Sequence, residues 1–355
     1  MRRQQHNFPA PLSVDLVGID HHVVEVMKLV DRDPFETRTI VIYGIGGIGK
    51  TTLATVIYKK LYDKFKSCSF LKDIRETIKS KGLEHVQSLL ISDMAESSDC
   101  WVPNPERGIG MIRFGCEKKK VLILLDDVDC QDHLDKMIGG CAFKSGSRII
   151  ITCRDKALLK SEYQSYELKK ISYEASLILF NKYAFDGAQP PRELAALSSA
   201  IVDTAKGLPL ALVIASSLLK GKHINIWMET LEKLRKVPNK YVQKMLRIGY
   251  DSLGYEEQQM FLNKACFFIG FDKRIVYYLW EDLQLCVASG LDRMVELSLI
   301  QYGEENELRM HDQLRDLRRA LARPVDKKPW DCSRLWDAEA ITVQLSKATM
   351  MSVDT

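Results

Sequence analysis

At 355 residues the chain is too long for one compact core and admits two or three domains at roughly 100–200 residues each. Hydrophobic residues at 46% and charged residues at 28% match ordinary globular usage, which excludes a disordered, collagen-like or disulfide-scaffold protein. With 51 Lys and Arg against 47 Asp and Glu, the net charge of +4 provides no electrostatic footprint for nucleic acid.

The nine cysteines (Cys68, Cys100, Cys116, Cys130, Cys141, Cys153, Cys266, Cys286 and Cys332) are odd in number and never form a CxxC pair. They point to a reducing compartment rather than to a zinc or redox site. The basic start MRRQQHNFPAPLS has no apolar segment behind it, and the longest apolar stretch, around Leu208 to Leu219, is too short to span a bilayer. A soluble, cytoplasmic chain with no membrane partner is expected.

In chain order, a polar lead-in is followed by the β-branched run 39–43, a glycine-rich loop and a helical pattern from Lys50 to about Tyr62. Strand-like CSFLKDI (68–74) and a helix near 83–95 come next, with 97–105 as the most loop-like insertion. The alternation resumes with VLILL (121–125), a helix near 131–137, RIIIT (148–152), a helix near 156–161 and YELKK (166–170). Five apolar strands separated by helices predict a three-layer α/β domain with a mainly parallel sheet.

From Ser172 the strand signals give way to helix-period segments at 174–186, 192–206, 209–220 and 225–235, and past Pro238 at 241–252, 255–268, 273–281 and 287–297. Two strand-like pieces, 297–302 and 307–310, flank Gly303 to Asn306, and a helix starts near Asp312, which outlines a winged helix. The expected organisation is an N-terminal extension (1–16), a phosphate-binding domain (17–171), a helical domain (172–238), a winged-helix domain (239–325) and a tail (326–355).

The loop Gly44-Ile45-Gly46-Gly47-Ile48-Gly49-Lys50-Thr51 satisfies GxxxxGK[ST] and lies between an apolar strand and a helix, where a P-loop belongs. Glycines let backbone amides wrap a β-phosphate, and the helix N-terminus adds roughly half a positive charge. Lys50 would reach the β- and γ-phosphates, and Thr51 would offer its hydroxyl to Mg²⁺. The same glycines contain GxGxxG, with Asp73 placed where a dinucleotide fold carries its ribose-binding acid. A dinucleotide loop, however, has no use for Lys-Thr directly after its last glycine.

VLILLDDVD, some 75 residues beyond the lysine, ends an apolar strand in Asp126 and Asp127. Asp126 would hold Mg²⁺ through water, and Asp127 would orient or deprotonate the attacking water; the bland alternative is a helix cap. In GSRIIITCRD, Arg154 leaves a strand on the edge that carries ligands in open α/β sheets, either sensing a γ-phosphate or simply capping the strand. None of the seven histidines (His6, His21, His22, His85, His133, His223, His311) has a second ligand at metal spacing, and His21-His22 reads as a solvated helix start.

These blocks, together with VGIDHH (17–22), GLPLAL (207–212), ACFF (265–268) and MHDQLRDL (310–317), resemble the NB-ARC nucleotide-binding switch of plant disease-resistance proteins over about residues 15–340. Asp129 and the late SRLWD (333–337) resemble the branch that carries an N-terminal Toll/interleukin receptor (TIR) domain. The resemblance implies a P-loop domain, a helical ARC1 domain and a winged-helix ARC2 domain closed over ADP at rest. It also implies that Val17 and Ile19 flank adenine, that Thr52 joins the phosphate loop, that Pro209 presses on the base and that His311 contacts the ADP β-phosphate. From the residues alone, Val17 and Ile19 are equally core residues, Pro209 a first-turn helix proline and His311 a polar helix start.

Cys153, Asn263 and Arg318 depart from the family pattern without touching the phosphate residues. The sequence lacks a Toll-type domain before Val17 and leucine-rich repeats after about 340, so it reads as a fragment, a cropped chain or a truncated member. The expected function is an ADP/ATP switch that opens and self-associates on ATP exchange, at most a slow ATPase. A remodelling ATPase and a winged-helix DNA-binding regulator are the competitors. The last rests on Arg315, Arg318, Arg319 and Arg323 and is opposed by Glu304, Glu305 and Glu307.

Overall fold

A computed structural model describes residues 16–95, 100–117, 119–158, 160–235, 241–267, 272–281, 286–303 and 306–322. The chain divides into two compact units after Ile171.

The first unit runs α1 (Asp20–Asp31), β1 (Arg38–Tyr43), α2 (Lys50–Tyr62), β2 (Ser67–Leu71), α3 (Ile74–Lys81), α4 (Leu83–Ala95), α5 (Pro105–Cys116), β3 (Val121–Val128), α6 (Gln131–Ile138), β4 (Arg148–Cys153) and β5 (Gln164–Glu167). Its five strands form one sheet in the order β2-β3-β4-β1-β5, with every neighbouring pair parallel. All residues of β3 and β4 are buried. Covered on both faces, these strands read as the unbroken apolar runs that signalled them. The parallel arrangement brings the carboxyl ends of β1, β2, β3 and β4 to one edge.

Four sequence expectations change here. The run 68–74 is a strand only to Leu71, because Asp73 takes a left-handed conformation (φ 51°) and starts α3. The segment 156–161 holds only a single 3-10 turn at Lys156–Leu158, since the connection must cross β1 and reach the sheet edge in ten residues. β5 lies at 164–167 rather than 166–170: its partner β1 ends at Tyr43, where the glycine loop begins, so pairing stops at Tyr43↔Glu167. Last, α3 and α5 were not anticipated, and of α1 only its start at His21-His22 was read.

The reason is clearest for α5. Asn104 caps it by accepting from the Arg107 amide, and Pro105 opens its first turn, but three glycines mask its helical pattern. Gly108 packs close to its neighbours: a Cβ there would fall 2.1 Å from Gln87 Oε1 of α4 and 2.8 Å from Val102 Cγ1, so a larger residue would displace the Gln87 side chain.

The second unit comprises α7 (Tyr173–Ala184), α8 (Arg192–Ala205), α9 (Pro209–Leu219), α10 (Ile224–Arg235), α11 (Tyr241–Asp251), α12 (Tyr255–Phe267), α13 (Lys273–Glu281), α14 (Val287–Glu296), β6 (Gln301–Tyr302), β7 (Leu308–Arg309) and α15 (Asp312–Ala322). Trp227 anchors the first four helices, stacked on Phe185 at 5.6 Å and edge-on to Phe180 at 5.9 Å. Ile214 and Leu218 of α9 join Leu246, Tyr250, Phe261, Trp280, Leu291 and Leu314 in a second core, so helical and winged-helix segments share buried surface.

The antiparallel hairpin is shorter than expected, pairing only Gln301↔Arg309 and Tyr302↔Leu308. Leu297 to Ile300 form a turn instead of a strand: Ser298 has φ 56°, and the amides of Leu299 and Ile300 both bond back to Met294 O. Their apolar side chains fill the core. Residues 304–305 and the tail from 323 lie outside the described residues, as does the side chain of Cys266 in the ACFF block.

Candidate functional site

β1 delivers the chain to the loop 44–49, and α2 begins at Lys50. Gly44 has φ 152°, and a Cβ there would press to 3.0 Å on the Leu168 carbonyl that follows β5. Gly49 caps α2 in a left-handed conformation (φ 102°), which only glycine adopts without strain. Gly46, Gly47 and Ile48 complete the turn, and Thr51 and Thr52 occupy the first turn of α2. Lys50 is buried, its ammonium donating to the carbonyls of Gly44 (2.8 Å) and Ile45 (3.0 Å), so the cation lies across its own loop.

The Asp126 carboxylate, at the end of β3, accepts from Thr51 Oγ1 at 2.9 Å and from Thr152 Oγ1 of β4 at 2.6 Å. The same Thr152 hydroxyl accepts from the Asp127 amide at 2.9 Å. Asp126 is only 3% exposed, and burial, reinforced by Asp73, pushes its pKa from the ordinary 3.8 to about 6. Hard oxygens from Thr51 and Asp126, already in contact, fit a divalent cation completed by phosphate oxygens and water, which makes them the residues that would hold Mg²⁺.

The pairing of β3 with β4 slips between Leu125 and Val128, and Asp127 stands in that bulge at φ 55°. Bulges re-aim side chains at the edges of sheets. Here the Asp127 carboxylate meets two guanidinium groups, Arg75 Nε at 3.1 Å and Arg154 Nε at 3.3 Å.

The sheet edge thus gathers the loop, Lys50, Thr51, Asp126, Asp127 and Arg154, as the motif spacing anticipates. Ile19 is buried at the start of α1, and Val17 is half-buried just before it. Pro209 opens α9, and His311 precedes α15; both belong to the second unit. Asp73 sits beside Asp126, where its charge opposes ionisation of that carboxylate. His22 is not a solvated helix residue, since its Nδ1 lies 2.6 Å from the Tyr166 hydroxyl. Arg315 is 1% exposed, which takes it out of the basic run considered for DNA.

Two site residues were missed, Arg75 and Thr152. Each follows or ends a strand on the ligand edge, in DIRE (73–76) and TCRD (152–155), and that position was the available signal.

The raised pKa of Asp126 gives a testable sign. A folded-state value above the unfolded one means that the native protein binds the proton more tightly, so the charged group destabilises increasingly as pH rises from about 4 to about 6. Asp126→Asn is therefore expected to stabilise the nucleotide-free protein at pH 7 by roughly 1–3 kcal/mol while weakening Mg²⁺-dependent nucleotide binding. Urea unfolding at pH 4 and pH 7 checks it: a variant less stable than wild type at pH 7 contradicts the assignment.

The NB-ARC domain model matches residues 19–189, and the model described as the disease resistance protein Roq1-like winged-helix domain matches residues 254–326. TMV resistance protein N of Nicotiana glutinosa is 33% identical over 343 residues, 94% of this chain and 30% of that protein. Disease resistance protein RUN1 of Vitis rotundifolia is 35% identical over 330 residues, 91% of this chain and 25% of that protein. The chain spans well under half the length of these relatives.

Among solved structures, a signal transduction ATPase with numerous domains and a tetratricopeptide repeat sensor, from Pyrococcus horikoshii, aligns with 91% of this chain and 45% of its own at TM-score 0.54 and 17% identity. That likeness shows the fold. No helix among the described residues is long and apolar enough to cross a membrane. With a P-loop at the edge of a five-stranded parallel sheet and two family matches that follow one another along the sequence, the chain carries an NB-ARC domain followed by a Roq1-like winged-helix domain, and it is similar over most of its length to the corresponding region of plant disease-resistance proteins.

Proposed function

We propose that this chain is the nucleotide-operated switch of a cytoplasmic plant immune receptor, closed on ADP and opened by exchange for ATP. The loop amides of residues 44–49 and Lys50 bind the phosphates, with Thr52 beside them. Val17 and Ile19 flank the adenine, while Pro209 meets the base and His311 the β-phosphate from the second unit. Thr51 and Asp126 would hold Mg²⁺, which would supply charge neutralisation for the bound phosphates. Exchange would then release the second unit and permit self-association, with TIR and leucine-rich repeat domains as the attached partners in the full receptor.

The observation that carries a switch over a fast motor is the state of Asp127. Taking up a proton would weaken the ion pairs that Asp127 makes with Arg75 at one oxygen and Arg154 at the other, and the Arg75 pair opposes it whichever way Arg154 turns. Proton abstraction is correspondingly slow, and Asp127 and Arg154 support at most slow hydrolysis. Identification of the nucleotide that copurifies tests the reading: tightly held ADP is expected, and an empty, rapidly cycling site would favour the motor. In single-turnover assays, Asp127→Asn is expected to lower hydrolysis further, by about 10²-fold, without abolishing ATP binding. Wild-type turnover in that variant would remove Asp127 from water activation.

A further inference from the structure

Asp127 is held from two directions. Its Oδ2 meets Arg75, which comes from the first turn of α3, and its Oδ1 meets Arg154, which comes from the end of β4. The two arginines differ in depth: the Arg75 side chain is 12% exposed and that of Arg154 is 26% exposed. The deeper pair is also the closer one, at 3.1 Å against 3.3 Å.

We propose that Arg75 is a positioning residue for γ-phosphate recognition, holding Asp127 so that the more exposed Arg154 can leave it for bound ATP. The proposal rests on the nucleotide reading above. A γ-phosphate and the Asp127 carboxylate compete for the same guanidinium. While Arg75 neutralises the carboxylate, its hold on Arg154 is divided. Without Arg75, a nearly buried carboxylate draws Arg154 more strongly, because a buried charge left without its partner is costly. Removing one cation therefore makes a second cation less available to the ligand. ADP has no γ-phosphate, so its binding does not feel this competition.

The test measures ADP and a non-hydrolysable ATP analogue with Mg²⁺ by calorimetry on the full chain. Arg75→Ala is expected to bind the ATP analogue about tenfold more weakly while ADP affinity stays within about twofold of wild type. Arg75→Lys should recover most of the loss. Adding Asp127→Asn to Arg75→Ala should restore analogue binding, because the competing charge is gone and Arg154 is released. A merely structural arginine predicts a different pattern: equal losses for both nucleotides and no rescue by the second change. Either of those results overturns the proposal. If Arg75→Ala does not fold, Arg75→Gln with and without Asp127→Asn carries the same comparison. Wild type that binds neither nucleotide would instead defeat the functional reading underneath, and with it this inference.

Discussion

Lys50→Ala is expected to weaken ADP binding about ten- to a hundredfold while leaving the fold intact, the effect of losing one charge-assisted phosphate contact of about 1.5–3 kcal/mol. The fold should survive because Lys50 is the first residue of α2, a position that alanine fills well, and its ammonium bonds to carbonyls of its own loop. Leaving the carbonyls of Gly44 and Ile45 without this donor costs little where water can reach them. Calorimetry with ADP, alongside a melting curve, separates the two effects. An unchanged ADP affinity would show that the loop does not hold phosphate, and a collapsed melting temperature would show that the lysine is structural.

His311→Ala is expected to speed ADP release and, given ATP, to favour a more expanded particle, because a contact of about 1–3 kcal/mol shifts a closed-to-open equilibrium by roughly 5- to 150-fold. Within its own unit, His311 sits just before α15 with a 39% exposed side chain, and its Nδ1 pairs with the Asp312 carboxylate. The Gln313 amide donates to Asp312 Oδ1 at 2.6 Å and to His311 Nδ1 at 3.2 Å, so Asp312, the first residue of α15 rather than its cap, holds the ring at the start of the helix. Asp312→Val is therefore expected to act in the same direction as His311→Ala. Labelled-ADP release and solution scattering decide between the readings. Wild-type release rates and compact dimensions in both variants would make the histidine a surface residue and remove it from the proposed clasp.

Legibility in the sequence followed the range of each interaction. The helices of the second unit were readable to within a residue or two at most ends, since amphipathic period and capping are local. The apolar run 297–302 misled because burial, not pairing, explains it: Met294 O draws the chain into a turn, and the side chains serve the core. α5 was hidden by its three glycines, of which one, Gly108, packs against Gln87 of α4, a neighbour that the local pattern does not contain.

By itself the sequence determined the P-loop, because eight contiguous residues carry both the backbone freedom and the cation that phosphate binding requires. It likewise determined the buried strands, whose continuous apolar runs reflect cover on both faces, and the placement of Asp126, Asp127 and Arg154 at strand ends. Tertiary structure alone decided how those groups meet. Parallel pairing set the ends of β2, β3 and β4 side by side, so that Thr152 bridges Asp126 and the Asp127 amide, and Arg75, 52 positions away, reaches Asp127. The slip in register at Asp127 and the burial that lifts the Asp126 pKa arise from the same packing. No local pattern encodes them, because each depends on which strands become neighbours and on how much water their edge excludes.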